Sequence, residues 1–272
     1  DVYKRQNTNF STSSGEGYEL QMGRFSRLLA ARFLDFFEVR DAGTLLDAGC
    51  GTGALTAQIL SRTSNAQIIG LDISETYIDY ATQRFEAPRA SFLTGDLANL
   101  PFDDMQFDQV VSQLALEFVP DTDRAFQEVF RVIKPGGEFA AAAWDSRGGL
   151  MFNRLFLDTA SVLDDEADTL RKAICTRPLR RPKRLENAMQ SAGFTNVRSG
   201  ELVIRTVFDS FEDYWAPFDG TDGPIPSYFA KRPARLKAAI KDAVQRAYLD
   251  GEDDGPRSYV AAAWAASSRR PA

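Results

Sequence analysis

The sequence predicts a doubly wound α/β domain, a parallel sheet with helices on both faces. Three observations carry this prediction. Short apolar runs alternate with stretches in which apolar residues recur every three or four positions, the alternation of strand and helix. The apolar runs are nearly continuous, as strands buried on both faces require. A glycine turn, Gly49-Cys50-Gly51-Thr52-Gly53, lies between the first run and the helical stretch after it, and ligands of open α/β sheets bind at such connections.

The elements follow in order. Residues 1–17 lack an initiator Met, are polar and aperiodic, and include the low-complexity run Ser11-Thr12-Ser13-Ser14. They predict a disordered segment, or a processing or assembly scar, ahead of a domain spanning 18–272. Phe25, Leu28, Leu29, Phe33, Phe36 and Phe37 are spaced for one face of a leading helix. Thr44-Leu45-Leu46 begins the first strand, and residues 54–60 follow the glycine turn as a helix. Residues 67–71 form a second strand ending in Asp72, after which Ser74 and Glu75 supply a cap and a favourable first-turn charge for a helix. Residues 90–94 and 107–112 read as strands three and four. Ala125, Phe126, Val129, Phe130 and Ile133 mark a helix stopped at Lys134-Pro135-Gly136-Gly137, and residues 138–144 are a fifth strand. Five β-then-α units in a row are expected, with a core at 44–145.

Beyond Asp145 the rhythm breaks. Phe152, Leu155, Phe156, Val162 and Leu163 fit a helix, and a Pro- and Arg-rich stretch follows at 177–184. Leu185, Ala188, Met189 and Ala192 make a helix ended by Gly193. Residues 197–208 contain a strand, a helix carries Leu236, Ile240, Val244 and Ala247, and 258–266 read as the final strand. Two insertions, about 148–181 and 209–232, stand outside the alternation and predict a lid.

Composition narrows the function. With 272 residues, 44% hydrophobic and 26% charged, the chain is of ordinary globular make-up and large enough for a well-buried core. The longest apolar runs, 139–144 and 259–266, fall far short of the roughly 18 residues of a membrane span. Lys plus Arg number 32 against 38 Asp plus Glu, a net charge of −6, which disfavours nucleic acid as a partner. Two cysteines, Cys50 and Cys175, make no disulfide framework, so a reduced cytoplasmic setting is expected. There is no histidine. That excludes Ser-His and Cys-His nucleophile pairs, His-ligated zinc and imidazole acid–base catalysis. The acidic runs Asp164-Asp165-Glu166 and Glu252-Asp253-Asp254 are adjacent along the chain, without converging spacing, and predict no metal site.

The glycine turn alone is ambiguous. Gly49-x-Gly51-x-x-Ala54, with Asp72 23 residues after Gly49, also satisfies the dinucleotide pattern, and glycines can simply make a tight turn. Three carboxylates tilt the choice. Asp47, Asp72 and Asp96 end successive strands and would line one edge of the sheet. One Asp is readily a cap or a solvated strand end; three in this arrangement suit a cationic ligand better than a pyrophosphate. S-adenosylmethionine carries a sulfonium, an ammonium, a ribose diol and an adenine amine, and its only anion is a carboxylate.

At these residues the sequence resembles the class I S-adenosylmethionine-dependent methyltransferases. The resemblance rests on Leu46-Asp47-Ala48-Gly49-Cys50-Gly51-Thr52-Gly53, Gly70-Leu71-Asp72-Ile73-Ser74, Gly95-Asp96-Leu97 with Leu100-Pro101-Phe102, Phe107-Asp108-Gln109-Val110-Val111-Ser112, and Arg131-Val132-Ile133-Lys134-Pro135-Gly136-Gly137. It covers roughly 45–144. Tyr18-x-x-x-Met22-Gly23-Arg24-Phe25-Ser26 and Asp213-Tyr214-Trp215-Ala216-Pro217-Phe218 with Gly223-Pro224 resemble bacterial members near the ubiquinone/menaquinone-biosynthesis-like subgroup. The resemblance implies a Rossmann-like seven-stranded sheet whose last strand runs antiparallel beside strand five. It also implies that Gly49, Gly51 and Gly53 pass the methionine part of the cofactor, with Asp47 near its ammonium. Asp72 would accept both ribose hydroxyls, Ile73 and Leu97 would sandwich the adenine, and Asp96 would accept from its exocyclic amine. Arg24 becomes a candidate for the cofactor carboxylate and Gln113 for the ammonium side. A surface helix charge and a strand-end polar residue are their bland alternatives.

Direct displacement at a sulfonium methyl needs alignment and a dry pocket more than acid–base groups. Some relatives carry a histidine after strand four; Gln113-Leu114-Ala115-Leu116-Glu117-Phe118 has none. Glu117, Asp145, Tyr214 or Asp219 could accept a proton from a hydroxyl acceptor, although each is more often a cap or surface group, and no catalytic base is assigned. Large rings at Phe152, Phe156, Tyr214, Trp215, Phe218, Tyr228 and Phe229, with Met151, suit a wall about a small apolar or aromatic substrate; packing of the extra helices is the competing reading. The alternatives to methyl transfer are an NAD(P)-dependent oxidoreductase using the same turn and a non-catalytic cofactor-binding protein.

Overall fold

The computed structural model describes residues 23–220 and 223–272. The expected segment 1–17 and the motif residues Tyr18 and Met22 lie outside the described residues. Seven strands form one sheet in the order β3-β2-β1-β4-β5-β7-β6: β1 Thr44–Ala48, β2 Gln67–Asp72, β3 Ala90–Thr94, β4 Phe107–Gln113, β5 Ile133–Trp144, β6 Thr195–Phe208 and β7 Arg257–Arg269. Strands β1 to β5 are parallel. Strand β7 runs antiparallel between β5 and β6, with Ala141 opposite Ala266 and Val203 opposite Ala262. The described residues hold ten α-helices: α1 Arg24–Phe36, α2 Ala54–Arg62, α3 Glu75–Arg84, α4 Thr122–Val132, α5 Met151–Ser161, α6 Asp165–Cys175, α7 Arg184–Ser191, α8 Phe211–Trp215, α9 Pro224–Ala230 and α10 Ala234–Leu249. This is the doubly wound, Rossmann-like architecture expected.

Each face of the sheet has its own core. Phe25, Leu29, Phe33, Phe156, Phe208, Tyr214 and Trp215 belong to one cluster; Phe107, Phe126, Val129, Phe139, Leu185 and Met189 belong to the other. The capping expected for α3 is present, with Ser74 Oγ accepting from the Tyr77 amide. Asp121 does the same for α4 through the Arg124 amide. Each contact satisfies a first-turn N–H that the helix itself cannot.

Three local expectations are corrected. Strand β3 joins β4 without a helix, so the five β-then-α units are not continuous. The connection, residues 95–106, is instead tied down by Arg131 of α4, whose guanidinium donates to the carbonyls of Leu100 and Phe102 and to Asp104. Pro101 and the Asp103-Asp104 pair also make this stretch a poor helix. Strand β5 begins at Ile133, ahead of Pro135-Gly136-Gly137: Ile133 pairs with Phe107, the register then shifts, and Gly136 takes a φ of 72°. Leu28 of α1 is 49% exposed; the buried stripe runs instead through Phe25, Ser26, Leu29, Ala30, Phe33 and Leu34.

Candidate active site

The parallel strands β1, β2, β3 and β4 end along one edge, and the sequence-predicted residues Asp47, Asp72, Asp96 and Gln113 stand at or just beyond those ends. The turn after β1 is fixed by its own backbone. The amides of Gly49 and Cys50 both donate to the Leu71 carbonyl at 2.7 and 3.0 Å, and the Gly53 amide donates to the Cys50 carbonyl at 2.9 Å. Gly49, Gly51 and Gly53 have φ values of 81°, 53° and 84°, a region that favours glycine. A Cβ at Gly49 would lie 2.1 Å from Ala115 Cβ, and one at Gly53 would lie 2.4 Å from the Phe85 ring. The turn therefore presents bare backbone to the crevice with side chains packed behind it.

Asp72 organises this turn. One of its oxygens accepts from the Gly51 amide and the other from the Ser74 amide, each at 2.9 Å. Burial raises its pKa, opposed by the Ser74 and Gly51 amides. Each oxygen keeps a further lone pair. Asp96 accepts from the Ala98 amide at 2.9 Å. Beside these carboxylates Ile73 is 47% exposed and Leu97 is buried, so Ile73 offers an open apolar surface next to two acceptors.

Asp47 is 1% exposed. Its Oδ2 accepts a 2.6 Å hydrogen bond from Thr56 Oγ1, and its Oδ1 is buried without a partner. Burial pushes its pKa up to about 7, opposed by the Thr56 hydroxyl and reinforced by the charge of Asp72. Gln113 stands two residues beyond Val111, the register partner of Asp47. Its Nε2 donates to the Ser26 carbonyl of α1 at 2.9 Å, while its Oε1 is buried without a partner. Two buried acceptors without donors thus sit at neighbouring strand ends. Arg24 completes the set from α1. One nitrogen, Nη1, reaches both oxygens of Asp213 at 3.0 and 3.3 Å, while Nε and Nη2 are buried without partners. Its guanidinium also lies over the rings of Phe25 and Phe208.

The rings assigned to a substrate wall are placed differently. Tyr214 and Trp215 are 0% exposed and Phe218 is 3% exposed. Trp215 packs among Phe156, Phe211, Phe218 and Phe229, and its indole donates to Asp219 at 2.7 Å. Tyr214 donates to the Phe152 carbonyl at 2.8 Å. These residues are core, so their assignment as an open wall is corrected. Each candidate proton acceptor likewise has a structural partner. Glu117 is held by Arg180, with Nε to Oε2 at 2.5 Å and Nη2 to Oε1 at 3.1 Å. Asp145 accepts from the amides of Arg147 and Gly148. Glu117 is therefore removed as a substrate contact.

Sequence reasoning missed Thr56, which orients Asp47, and Phe85, which closes against Gly53. It also missed Leu114, whose φ of 63° turns the chain sharply where β4 leaves the sheet. A hydroxyl in the first turn after a glycine loop was an available signal for Thr56; nothing in the residue type announces Leu114. A separate cavity of about 270 Å³ lined by Phe37, Glu138, Arg198 and Ser267 opens at the opposite edge of the sheet and takes no part in the site.

Residues 46–141 match a family model described as methyltransferase domain. Over 112 residues the chain is 38% identical to the biotin biosynthesis bifunctional protein BioHC of Cellvibrio japonicus, a match covering 41% of this chain and 22% of that protein. Over 184 residues it is 27% identical to the demethylmenaquinone methyltransferase of Lactobacillus johnsonii, covering 61% of this chain and 73% of that one. The chain thus spans less than a quarter of the first of these relatives. Among solved structures, phosphoethanolamine N-methyltransferase 2 of Haemonchus contortus, in complex with phosphomonomethylethanolamine and S-adenosylhomocysteine, shares the fold with a TM-score of 0.58 at 17% identity, over 95% of this chain and 57% of that one. With the motifs at the strand ends and a sheet of order 3-2-1-4-5-7-6, these matches show a methyltransferase domain at residues 46–141, carried on a Rossmann-like sheet of the fold seen in solved methyltransferases.

Proposed function

We propose that the chain transfers a methyl group from S-adenosylmethionine to a small molecule with an apolar or aromatic body. The observation that carries this reading is the pair of buried acceptors without donors, Asp47 Oδ1 and Gln113 Oε1, beside a glycine turn, with unpartnered Arg24 nitrogens on the same helix, α1, whose Ser26 carbonyl Gln113 contacts. An α-amino acid end supplies what this set lacks, an ammonium for the two acceptors and a carboxylate for the guanidinium. A pyrophosphate would meet Asp47 instead, which disfavours the nicotinamide alternative.

When bound, S-adenosylmethionine supplies the methyl group as a sulfonium substituent. The chain's own residues do the rest. Asp72 takes the ribose diol on the lone pairs left by Gly51 and Ser74, Ile73 and Leu97 flank the adenine, and Asp96 accepts from its amine. Leu97 and Ala115 pack behind Gly49 and leave no room for a side chain there, which fixes the turn for a displacement that alignment and desolvation carry. The insertions at 148–181 and 209–232 act as the lid through the frame of α5, α6, α8 and α9, with the Arg24–Asp213 pair joining α1 to the second insertion.

The test is calorimetric titration with S-adenosylmethionine, S-adenosylhomocysteine and NAD, then measurement of S-adenosylhomocysteine released on incubation with a cell metabolite extract. Binding of the adenosyl ligands and product release with an acceptor are expected. Tight NAD binding without adenosyl binding would favour the oxidoreductase, and adenosyl binding with no turnover on any extract would favour a non-catalytic binder.

A further inference from the structure

A second polar cluster stands at the ends of β4 and β5, beside the cofactor crevice. Glu117 and Phe118 lie in the turn just after β4, Ser146 lies two residues past the end of β5, and Arg177 and Arg180 come from the close of the first insertion. The Glu117 side chain is 0% exposed and both its oxygens are held by Arg180. The third Arg180 nitrogen, Nη1, donates to Ser146 Oγ at 2.5 Å. That pair is complete. Arg177 is not: its guanidinium lies 4.7 Å from the centroid of Phe118, with Arg180 at 5.4 Å from the same ring. Its Nη1 is buried with no hydrogen-bond partner.

The cluster thus holds two guanidiniums and one carboxylate, and that carboxylate is fully engaged by Arg180. A buried donor with no acceptor is costly, although Arg177 as a whole is half-buried and its charge is drawn toward Glu117. Burial and the neighbouring Arg180 hold the Arg177 pKa down at about 10, with Glu117 opposing, which leaves it cationic at neutral pH. One surplus positive charge matches a monoanion, and a single buried N–H edge matches one carboxylate oxygen better than a doubly charged phosphate, which would also crowd Glu117. The Phe118 face beside it is apolar and aromatic.

We infer that the methyl acceptor is an organic acid, whose carboxylate is anchored on Arg177 beside the Arg180–Glu117 pair while its apolar body lies toward the cofactor crevice. This rests on the methyltransferase reading and names the substrate class of that site. Arg177 is a binding residue for the acceptor, and Arg180 is a positioning residue that neutralises Glu117 so that an anion can approach.

The full chain saturated with S-adenosylhomocysteine tests this by ligand-observed magnetic resonance with matched acids and amides: benzoate and benzamide, phenylacetate and phenylacetamide, octanoate and octanamide. At least one acid should bind tenfold or more tightly than its amide. Arg177→Gln should remove that preference while leaving S-adenosylhomocysteine affinity within twofold, and Arg177→Lys should retain part of it. Arg177→Met should melt no lower than the parent without ligand, because it removes a buried N–H that has no acceptor. Absence of an acid preference in all three pairs, or a preference that survives Arg177→Gln, would overturn the inference with the methyltransferase reading intact. A lower melting temperature for Arg177→Met with the acid preference retained would make Arg177 structural and overturn it as well. Failure of S-adenosylhomocysteine itself to bind would instead strike the reading beneath it.

Discussion

Replacing Asp47 by Asn should stabilise the protein and weaken its cofactor binding at once. In the folded chain the Asp47 carboxyl has a pKa of about 7, against an ordinary value of 3.8. The folded state therefore holds its proton where the unfolded state has released it, and stability falls as pH rises from about 4 to about 7 and is level above. Between pH 5 and 7 this comes to about 2–3 kcal/mol, at roughly 1.4 kcal/mol per pH unit. Asn carries no charge and can still accept from Thr56. The gain from Asp47→Asn should thus be larger at pH 8 than at pH 5 by about 2–3 kcal/mol, or roughly 5–10 °C in melting temperature for a chain of this size. For the cofactor the sign reverses, since an Asn amide in place of Oδ1 turns a donor toward the ammonium. Affinity should fall 10- to 100-fold, in line with a lost hydrogen bond to a charged group at about 1.5–3 kcal/mol. In the parent, affinity should climb from pH 5 to 7 as the carboxyl ionises. The assays are thermal melts at both pH values and calorimetric titration of S-adenosylmethionine. A melting gain equal at pH 5 and 8, together with unchanged cofactor affinity, would refute both the buried carboxyl and its partner.

Trp215→Ala removes a fully buried ring and an indole hydrogen bond, so circular dichroism melts should show a loss of about 3–5 kcal/mol; a change of under 1 kcal/mol would return Trp215 to the substrate wall. Asp72→Ala releases the Gly51 and Ser74 amides and should lower S-adenosylhomocysteine affinity 10- to 100-fold by calorimetry, with Asp72→Asn intermediate. Ending the chain before Arg257 strips β7 from both β5 and β6, and the product should show no cooperative melting transition. Gly49→Ala drives a methyl into Ala115 and should cost both stability and cofactor affinity, whereas the paired change with Ala115→Gly should recover part of each.

The parallel half of the fold was legible because its signals are local. Strand β3 was bounded correctly as residues 90–94, being a short apolar run between turn residues, and the antiparallel last strand followed from the family resemblance. The start of β5 was missed because Pro135-Gly136-Gly137 reads as a break, although Ile133, ahead of it, already pairs with Phe107 of β4. The site divides the same way. The residues that end strands were named from motif and spacing, whereas their partners come from distant chain: Arg24 meets Asp213 across 189 positions and Glu117 meets Arg180 across 63. No periodicity records such pairings. The aromatic group was visible as composition, but whether rings face a ligand or one another depends on how α5, α8 and α9 converge, which composition does not encode.

The position of β7 has a consequence for how the molecule is made. In the finished sheet β6 touches β5 only through β7, and β7 is the last of the seven strands to leave the ribosome. While it is still in the exit tunnel, β5 and β6 each present a bare hydrogen-bonding edge, and the faces lined by Ala140, Ala142, Leu202 and Ile204 lack Ala261, Ala263 and Ala265 to close the core over them. The nascent chain can assemble β1 to β5 as it emerges, but β6 must wait, exposed to adventitious strand pairing. Closure is then a single late insertion between two preformed edges, so a pause in translation just before residue 257 would hold the chain in its most aggregation-prone form.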